Sequence, residues 1–335
     1  MSQRMPRPTL RAVADATGFS PSTVSRALRN DPRVVPATRE QIVATAERLG
    51  FTQNALASSL RTGVKPSLVG LLIPDVADPF FGAVAAGVQA AASSQRLEVL
   101  IGCHNNHPEE QDRLVRQMVS HRVPALIVVP APGPVPMQLS TEAQFGTTVV
   151  SVDRPAPHLG CDSVTTDNEE GARALTLSLL ERGHERFAVV SLDTDIWTQS
   201  VRLQAVVDTL AEAGITLDPG AVARADESGT IPTEALDEML RTQRPTAVIG
   251  LSVRPLVQVV DASHRLGLDL ELASFDGHPL FDLLDARIHC VEQSADALGR
   301  AAVDLLIQPR AEGESPRQVV LSVGELVVRG RRAGR

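Results

Sequence analysis

The 335-residue sequence predicts an all-α helix-turn-helix domain at the N-terminus, followed by an α/β two-lobed domain. Two short amphipathic segments meet at Gly18. Basic charge is concentrated in the first 65 residues. From Leu68 onward, short apolar runs alternate with helical stretches, the pattern of buried parallel strands covered by helices. More than 260 residues of that alternation imply two sheets, hence two lobes.

In the first helix Leu10, Val13 and Ala14 share one face at i, i+3, i+4. Gly18 stands where a tight inter-helix turn needs positive φ. Ser20 is placed to cap the second helix, and Pro21 suits a first helical position, which needs no N–H. Val24 and Leu28 are expected inward, with Pro21, Ser22, Ser25, Arg26 and Arg29 on or near the outer face. A third helix is expected from about Ala37 to Leu49, with Ile42, Ala46 and Leu49 inward. Small polar residues opening the second of three short helices suit docking in a DNA major groove; a purely structural three-helix bundle is the plainer alternative.

Charge favours DNA. Residues 1–65 hold nine arginines and one lysine against four carboxylates, a net +6, while the remainder carries 22 basic against 36 acidic side chains. A chain of net charge −8 has collected positive charge where the helical pattern lies, as phosphate neutralisation requires. Residues 54–63 follow, with Asn54 as a helix cap, Gly63 as a stop, and Leu56, Ala57 and Leu60 on one side. Two turns are too short to be stable alone in water. The segment is therefore expected to be helical only with support, and its leucine could wedge between base steps from the minor groove. An incidentally helical linker is the other reading.

Composition narrows the remainder. No run of 18 apolar residues indicates a membrane span, and the N-terminus has no apolar signal core. Cys103, Cys161 and Cys290 are few and far apart, giving neither a disulfide framework nor metal-ligand spacing. A reduced, cytoplasmic location is expected, with no cofactor and no metal. No short internal repeat is evident.

Strands are expected at Leu68–Ile73, Leu97–Ile101, Ala125–Val129, Thr148–Val152, Phe187–Ser191, Ala247–Leu251 and Leu270–Phe275. Helices are expected near 80–94, 108–121, 169–182, 198–213, 233–242, 254–266 and 294–307. In such folds ligands sit at the carboxyl ends of the strands, here also between the lobes.

Residues 9–63 resemble the DNA-binding module of the lactose-repressor family of bacterial regulators. The resemblance is carried by the run from Ala16 to Leu28, by Thr38-Arg39-Glu40, and by Ala46 to Phe51 leading into Asn54 and Leu60. The rest is similar to that family's effector domain, of type I periplasmic-binding-protein fold. Here the strings are Val69 to Asp75, Asp78-Pro-Phe-Phe81, Val152-Asp-Arg-Pro155, Val164 to Asn168, Arg182-Gly-His184, Val201-Arg-Leu203 and Ala273-Ser-Phe-Asp276. This divides the chain into a reader at 1–53, a hinge helix and linker at 54–66, and an effector-binding and dimerisation domain at 67–330. One lobe would comprise about 67–155 with 295–310, the other about 160–290, with final strands near 317–328 crossing the hinge.

The resemblance implies a double-stranded DNA operator, a homodimer with a tetramer left open, and a small-molecule effector. Pro21, Ser22 and Arg26 would read bases, Thr23 and Ser25 would touch phosphates, and Leu60 would intercalate while Ala57 packs on its two-fold mate. Asp78, Phe80 and Phe81 would lie on a loop facing the effector. Arg202 would hold its hydroxyls or carboxylate, as suits a forked, permanently charged donor. Asp276, ending a strand, would accept from vicinal hydroxyls or an amine. Trp197 would either stack on a ring face or sit in the core or rim. Asp167-Asn168 reads as a helix cap and lobe crossing, and His184 as a surface or turn residue.

The sequence departs from the family at several places. Val35-Pro36 stands where a capping residue is usual before the third helix, and Arg29 where an asparagine is common. Val123-Pro-Ala125 replaces a frequent Asp-Gly. Arg254 stands at or beside a usually acidic position, so a cation is expected to face the cleft. These departures weaken the expectation of a simple neutral hexose, and the effector is expected among sugars, sugar phosphates and sugar acids. The leading reading is a ligand-controlled repressor on a pseudo-palindromic operator. The competitors are a binding protein with an ornamental N-terminus and an enzyme on a doubly wound fold. The absence of a Gly-rich phosphate loop, a Gly-x-Ser-x-Gly elbow and a metal cluster argues against catalysis.

Overall fold

The structure is a computed structural model. It describes residues 10–28, 31, 33–49, 68–121, 123–133, 137–144, 147–192, 195–226, 229–308, 310 and 314–330. The chain divides into two compact units, Met1–Pro66 and Ser67–Arg335.

The first unit contains α1 (Leu10–Thr17), α2 (Pro21–Leu28) and α3 (Pro36–Leu49). Gly18 turns between α1 and α2 at φ 74°. The Ser20 hydroxyl accepts from the Thr23 amide at 3.2 Å, and Pro21 opens α2 as expected. Val13, Ala14, Val24, Ala27, Val34, Ile42 and Ala46 form the core. Leu28 is half-buried and packs against this core, as expected. Leu49 differs: in the last turn of α3 it is 37 % exposed. Arg39 secures the entry to α3, donating from Nη2 to the carbonyls of Asp31 (2.8 Å) and Val34 (3.1 Å).

The second unit runs β1 (Leu68–Ile73), α4 (Pro79–Ser94), β2 (Glu98–Cys103), α5 (Pro108–Ser120), β3 (Ala125–Val128), α6 (Met137–Gln144), β4 (Thr148–Val152), β5 (Asp162–Thr166) and α7 (Asn168–Leu180). It continues through β6 (Phe187–Ser191), α8 (Trp197–Glu212), β7 (Val222–Arg224), α9 (Thr233–Gln243), β8 (Ala247–Gly250), α10 (Val253–Leu266), β9 (Glu271–Phe275) and β10 (Ile288–Val291). It ends with α11 (Ala295–Ile307), β11 (Gln318–Leu321) and β12 (Leu326–Arg329).

Each lobe holds a six-stranded sheet, ordered β11-β5-β4-β3-β1-β2 and β12-β10-β9-β8-β6-β7. Among the described residues every strand pairing is parallel except β10 with β12. Central strands such as β3, β4, β6 and β8 are apolar on both faces, because helices cover both sides.

Four elements escape the sequence pattern. Strand β5 reads Asp-Ser-Val-Thr-Thr and lacks an apolar run. Strand β7 has three residues, β10 begins Ile-His-Cys, and α6 is short and polar. The lobe boundary also moves: β5 pairs with β4, so residues 162–166 belong to the first lobe rather than the second. The crossing therefore falls at Asp167, not near 160.

Three segments cross between the lobes and are tied together. Asp167 donates its amide to the Leu321 carbonyl at 2.9 Å, and Gly324 donates to Glu292 at 2.9 Å. Helix α11 returns to the first lobe and packs on α4 at Gly87 and Gly299. A Cβ at Gly299 would lie 2.2 Å from the Val84 carbonyl oxygen, and one at Gly87 would lie 2.0 Å from that of Asp296. Backbone blocks both, so neither neighbour can rotate away. Gly299→Ala is expected to destabilise the large domain by about 1–3 kcal/mol through overpacking, measured as a lower urea midpoint for that domain's transition.

Candidate functional site

The two sheets share a strand order, and β4 occupies in the first the position that β9 occupies in the second. Each of these strands ends in the same short pattern, Ser151-Val-Asp153 and Ser274-Phe-Asp276. Both serines are fully buried. Both aspartates adopt left-handed backbone, φ 67° at Asp153 and 78° at Asp276, which turns the chain sharply off the strand end. This internal repeat is not legible in the sequence, because three residues separated by more than a hundred carry no periodic signal. Asp153 joins the expected Asp276 only through it.

Arg202, on α8, is 3 % exposed, and both carboxylates act on its charge. Its Nε donates to Asn168 Oδ1 at 2.7 Å and its Nη1 to the Leu251 carbonyl at 2.8 Å. The guanidinium carbon stands 3.6 Å from the centroid of the Phe275 ring. Burial pulls the Arg202 pKa below its ordinary value, and the charges of Asp276 and Asp153 oppose that fall. Gln293, in a lobe-crossing segment, donates Nε2 to both Asp276 oxygens, at 2.8 and 2.9 Å.

The Asp276 carboxyl is pushed up to about 6, chiefly by burial and further by Asp153 and Asp78, against the opposing pull of Arg202 and Gln293. Asp153 is also raised by burial, with Arg154 and Arg202 opposing. Arg154 pairs with Asp153 at 3.5 Å but donates Nη1 to Asn106 Oδ1 and the Pro130 carbonyl, both at 2.9 Å.

The first-lobe loop brings Asp78, Phe80 and Phe81 to the same region. Asp78 caps α4, accepting from the Phe80 amide at 2.9 Å, and burial raises its pKa. The two half-buried rings pack edge to face, 5.1 Å between centroids at 76°, and rest on the first-lobe core. Trp197 begins α8 and is 38 % exposed, so it is not a core residue. Arg254, near the start of α10, lays its side chain over Gly229 and reaches to 3.9 Å from Asp75. Its charge also acts on Asp78. The expected cation is present, but it faces carboxylates rather than standing as an anion receptor. Asp167 caps α7 through the Glu170 amide at 3.0 Å, while His184 is half-buried between Thr246 (3.0 Å) and Glu271 (3.3 Å). Among the described residues no cluster of His, Cys, Asp and Glu could hold a metal ion, and no helix is long and apolar enough to cross a membrane.

In the small unit, Pro21 and Ser22 are exposed at the start of α2, with Thr23, Ser25 and Arg26 half-buried behind them. Ser20 Oγ lies 2.9 Å from both Ser22 Oγ and Thr23 Oγ1, and Arg26 Nε donates to the Ser22 carbonyl at 3.3 Å. Polar side chains at one helix end are thus held by one another rather than by the core. Asn54, Ala57 and Leu60 lie outside the described residues.

Residues 67–324 match the periplasmic binding proteins and sugar binding domain of the LacI family, and residues 9–54 match the bacterial regulatory proteins of that family. The chain belongs to the LacI family. It is a DNA-binding transcriptional regulator and not an enzyme. It is 27% identical over 331 residues to the HTH-type transcriptional repressor CytR of Escherichia coli K12, covering 96% of this chain and 95% of that one. It is 28% identical over 308 residues to the HTH-type transcriptional regulator GalS of Salmonella typhimurium, covering 90% of each.

Among solved structures, the transcriptional regulator CelR–cellobiose complex superposes with a TM-score of 0.70 at 25% identity, covering 96% of this chain and 98% of that one. The lac repressor dimer bound to operator and the anti-inducer ONPF shares the fold, with a TM-score of 0.82 at 21% identity, covering 98% and 100%.

The raised Asp276 carboxyl has a thermodynamic consequence. The folded chain holds this proton more tightly than the unfolded chain, whose carboxyl has the ordinary value of 3.8. Asp276 therefore favours folding most at low pH, and that contribution is lost as pH rises through about 6. Asp276→Asn is expected to raise the ligand-free melting temperature at pH 7 and to flatten the loss of stability between about pH 4 and 6. Thermal melts of both proteins across that range provide the check.

Proposed function

We propose that this regulator is a homodimeric repressor of a pseudo-palindromic operator, relieved or reinforced by a neutral, hydroxyl-rich sugar bound between the lobes. One observation carries the effector reading: a buried arginine, Arg202, is held among its partners where two strand-end carboxylates, the buried Asp153 and the half-buried Asp276, act on its charge. A forked donor beside paired acceptors suits vicinal hydroxyls, which both donate and accept. The CelR relative was solved with cellobiose, a neutral sugar. The anionic alternatives, a sugar phosphate or sugar acid, lose ground because Asp78, Asp153 and Asp276 repel an anion and Arg254 already faces Asp75. Phe80 or Phe81 and the rim Trp197 would cover the sugar's apolar faces, and Asp78 and Arg254 would border the mouth.

On the DNA side, Pro21, Ser22 and Arg26 read base edges and Thr23 and Ser25 touch phosphates. The 54–66 segment forms a hinge helix whose Leu60 wedges the minor groove while Ala57 meets its two-fold mate and Asn54 caps. Lobe movement around the effector alters the spacing of the paired hinges, so effector and operator affinities are reciprocally coupled. The protein acts in the cytoplasm, where its DNA partner lies.

Trp197 is the only tryptophan and the chain has no tyrosine, so intrinsic fluorescence reports the cleft rim. A sugar screen read by that signal and by thermal shift is expected to return a neutral sugar. Arg202→Ala and Asp276→Ala should weaken that sugar roughly ten- to a hundredfold, the loss of a hydrogen bond to a charged group, without changing operator affinity in its absence. Tight binding of sugar phosphates alone would refute the neutral-sugar reading.

Leu60→Ala should reduce operator affinity by roughly tenfold or more in a mobility-shift assay, with the sugar response of Trp197 intact. An unchanged operator affinity would exclude the wedge.

A further inference from the structure

We infer that Asn168 is a positioning residue that fixes the orientation of Arg202 from the lobe crossing, an inference that rests on the proposed role of Arg202 in holding the effector. Asn168 is 2 % exposed and opens α7, two residues beyond the end of β5. Its Oδ1 accepts from Arg202 Nε at 2.7 Å, and its Nδ2 donates to the Thr166 carbonyl at 2.9 Å. Only one orientation of the amide satisfies both partners. The flipped amide would set donor against donor at Arg202 and acceptor against acceptor at Thr166. Thr166 belongs to the first-lobe sheet through β5, while Arg202 belongs to a second-lobe helix. One side chain therefore ties the cleft's buried cation to the last strand residue of the other lobe.

The remaining restraints on Arg202 do not define its rotation by themselves. Nη1 donates to the Leu251 carbonyl, and the face of the guanidinium lies on Phe275. A ring face is tolerant of rotation about its normal. Phe275 is set in turn by Gly171, one turn along α7 from Asn168, where a Cβ would come within 2.7 Å of Phe275 Cε2. The first turn of α7 thus presents Arg202 twice, directly by Asn168 and indirectly through the seat for Phe275. Movement of β5 relative to α7 shifts Thr166 against Asn168 and turns the Arg202 fork, linking lobe arrangement to the donors shown to the effector.

The test needs no effector. Full-length protein labelled with 15N-arginine is expected to show a slowly exchanging Nε–H resonance that is missing from Arg202→Lys. In Asn168→Ala that proton should exchange with water at least roughly tenfold faster, with the overall melting profile retained. In Asn168→Asp a charged acceptor replaces a neutral one, so the resonance should persist but move. An unaltered exchange rate in Asn168→Ala, or an unmoved resonance in folded Asn168→Asp, overturns the inference; the aspartate variant decides the matter if the alanine variant does not fold. Because no sugar is added, either failure leaves the effector role of Arg202 to be judged separately by the Trp197 titration of Arg202→Ala.

Discussion

Burying a guanidinium in the crevice between two sheets carries a large desolvation cost, and much of the effector domain is arranged around meeting it. Arg202 receives an amide oxygen from the start of α7, a main-chain carbonyl from the end of β8, and the face of Phe275 from the end of β9. Asp153 and Asp276 supply the compensating charge from opposite lobes. The partners come from four elements, α7, β8, β9 and β4, all at the carboxyl ends of strands or the adjoining helix start. This is where parallel sheets converge on a crevice, and where the main chain offers carbonyls not used in the ladder.

The balance of charge in this crevice constrains the ligand. Three carboxylates with raised pKa values share the space with Arg202, while the Arg154 guanidinium donates to Asn106 and the Pro130 carbonyl. Each carboxylate raises the energy of ionising the others. A ligand rich in hydroxyl donors relieves that tension, whereas an anion adds to it. As a departure from the family pattern, Arg254 reads as an opening for anions. The neighbouring Asp75 and Asp78 change its meaning, and nothing in the linear order of residues places Asp75 beside Arg254.

The lobes are joined by three short crossings whose main chains hydrogen-bond to one another, and side chains at two of them, Asn168 and Gln293, reach into the crevice. The crossings and the crevice therefore share residues. Rearrangement of the crossings cannot leave the donors and acceptors of the crevice untouched, a physical requirement for coupling the lobes to the DNA-binding unit.

The sequence alone determined the reader, because helix caps, the Gly18 turn and the charge asymmetry are local or additive signals. It also determined seven of the strands and all but one of the effector-domain helices, because continuous apolar runs and 3.6-residue periodicity arise from burial by immediate neighbours. Leu49 lies outside the core because a residue in the last turn of a helix is covered only where the neighbouring helices reach it, which periodicity does not record. Strand β5 was hidden by its polar sequence, and with it the true lobe crossing at Asp167. The partners of Arg202, the pairing of Asp153 with Asp276, and the offsetting of Arg254 by Asp75 were decided only by the tertiary structure. Each joins residues dozens to more than a hundred positions apart, and distance along a chain carries no record of distance in space until the sheets are assembled.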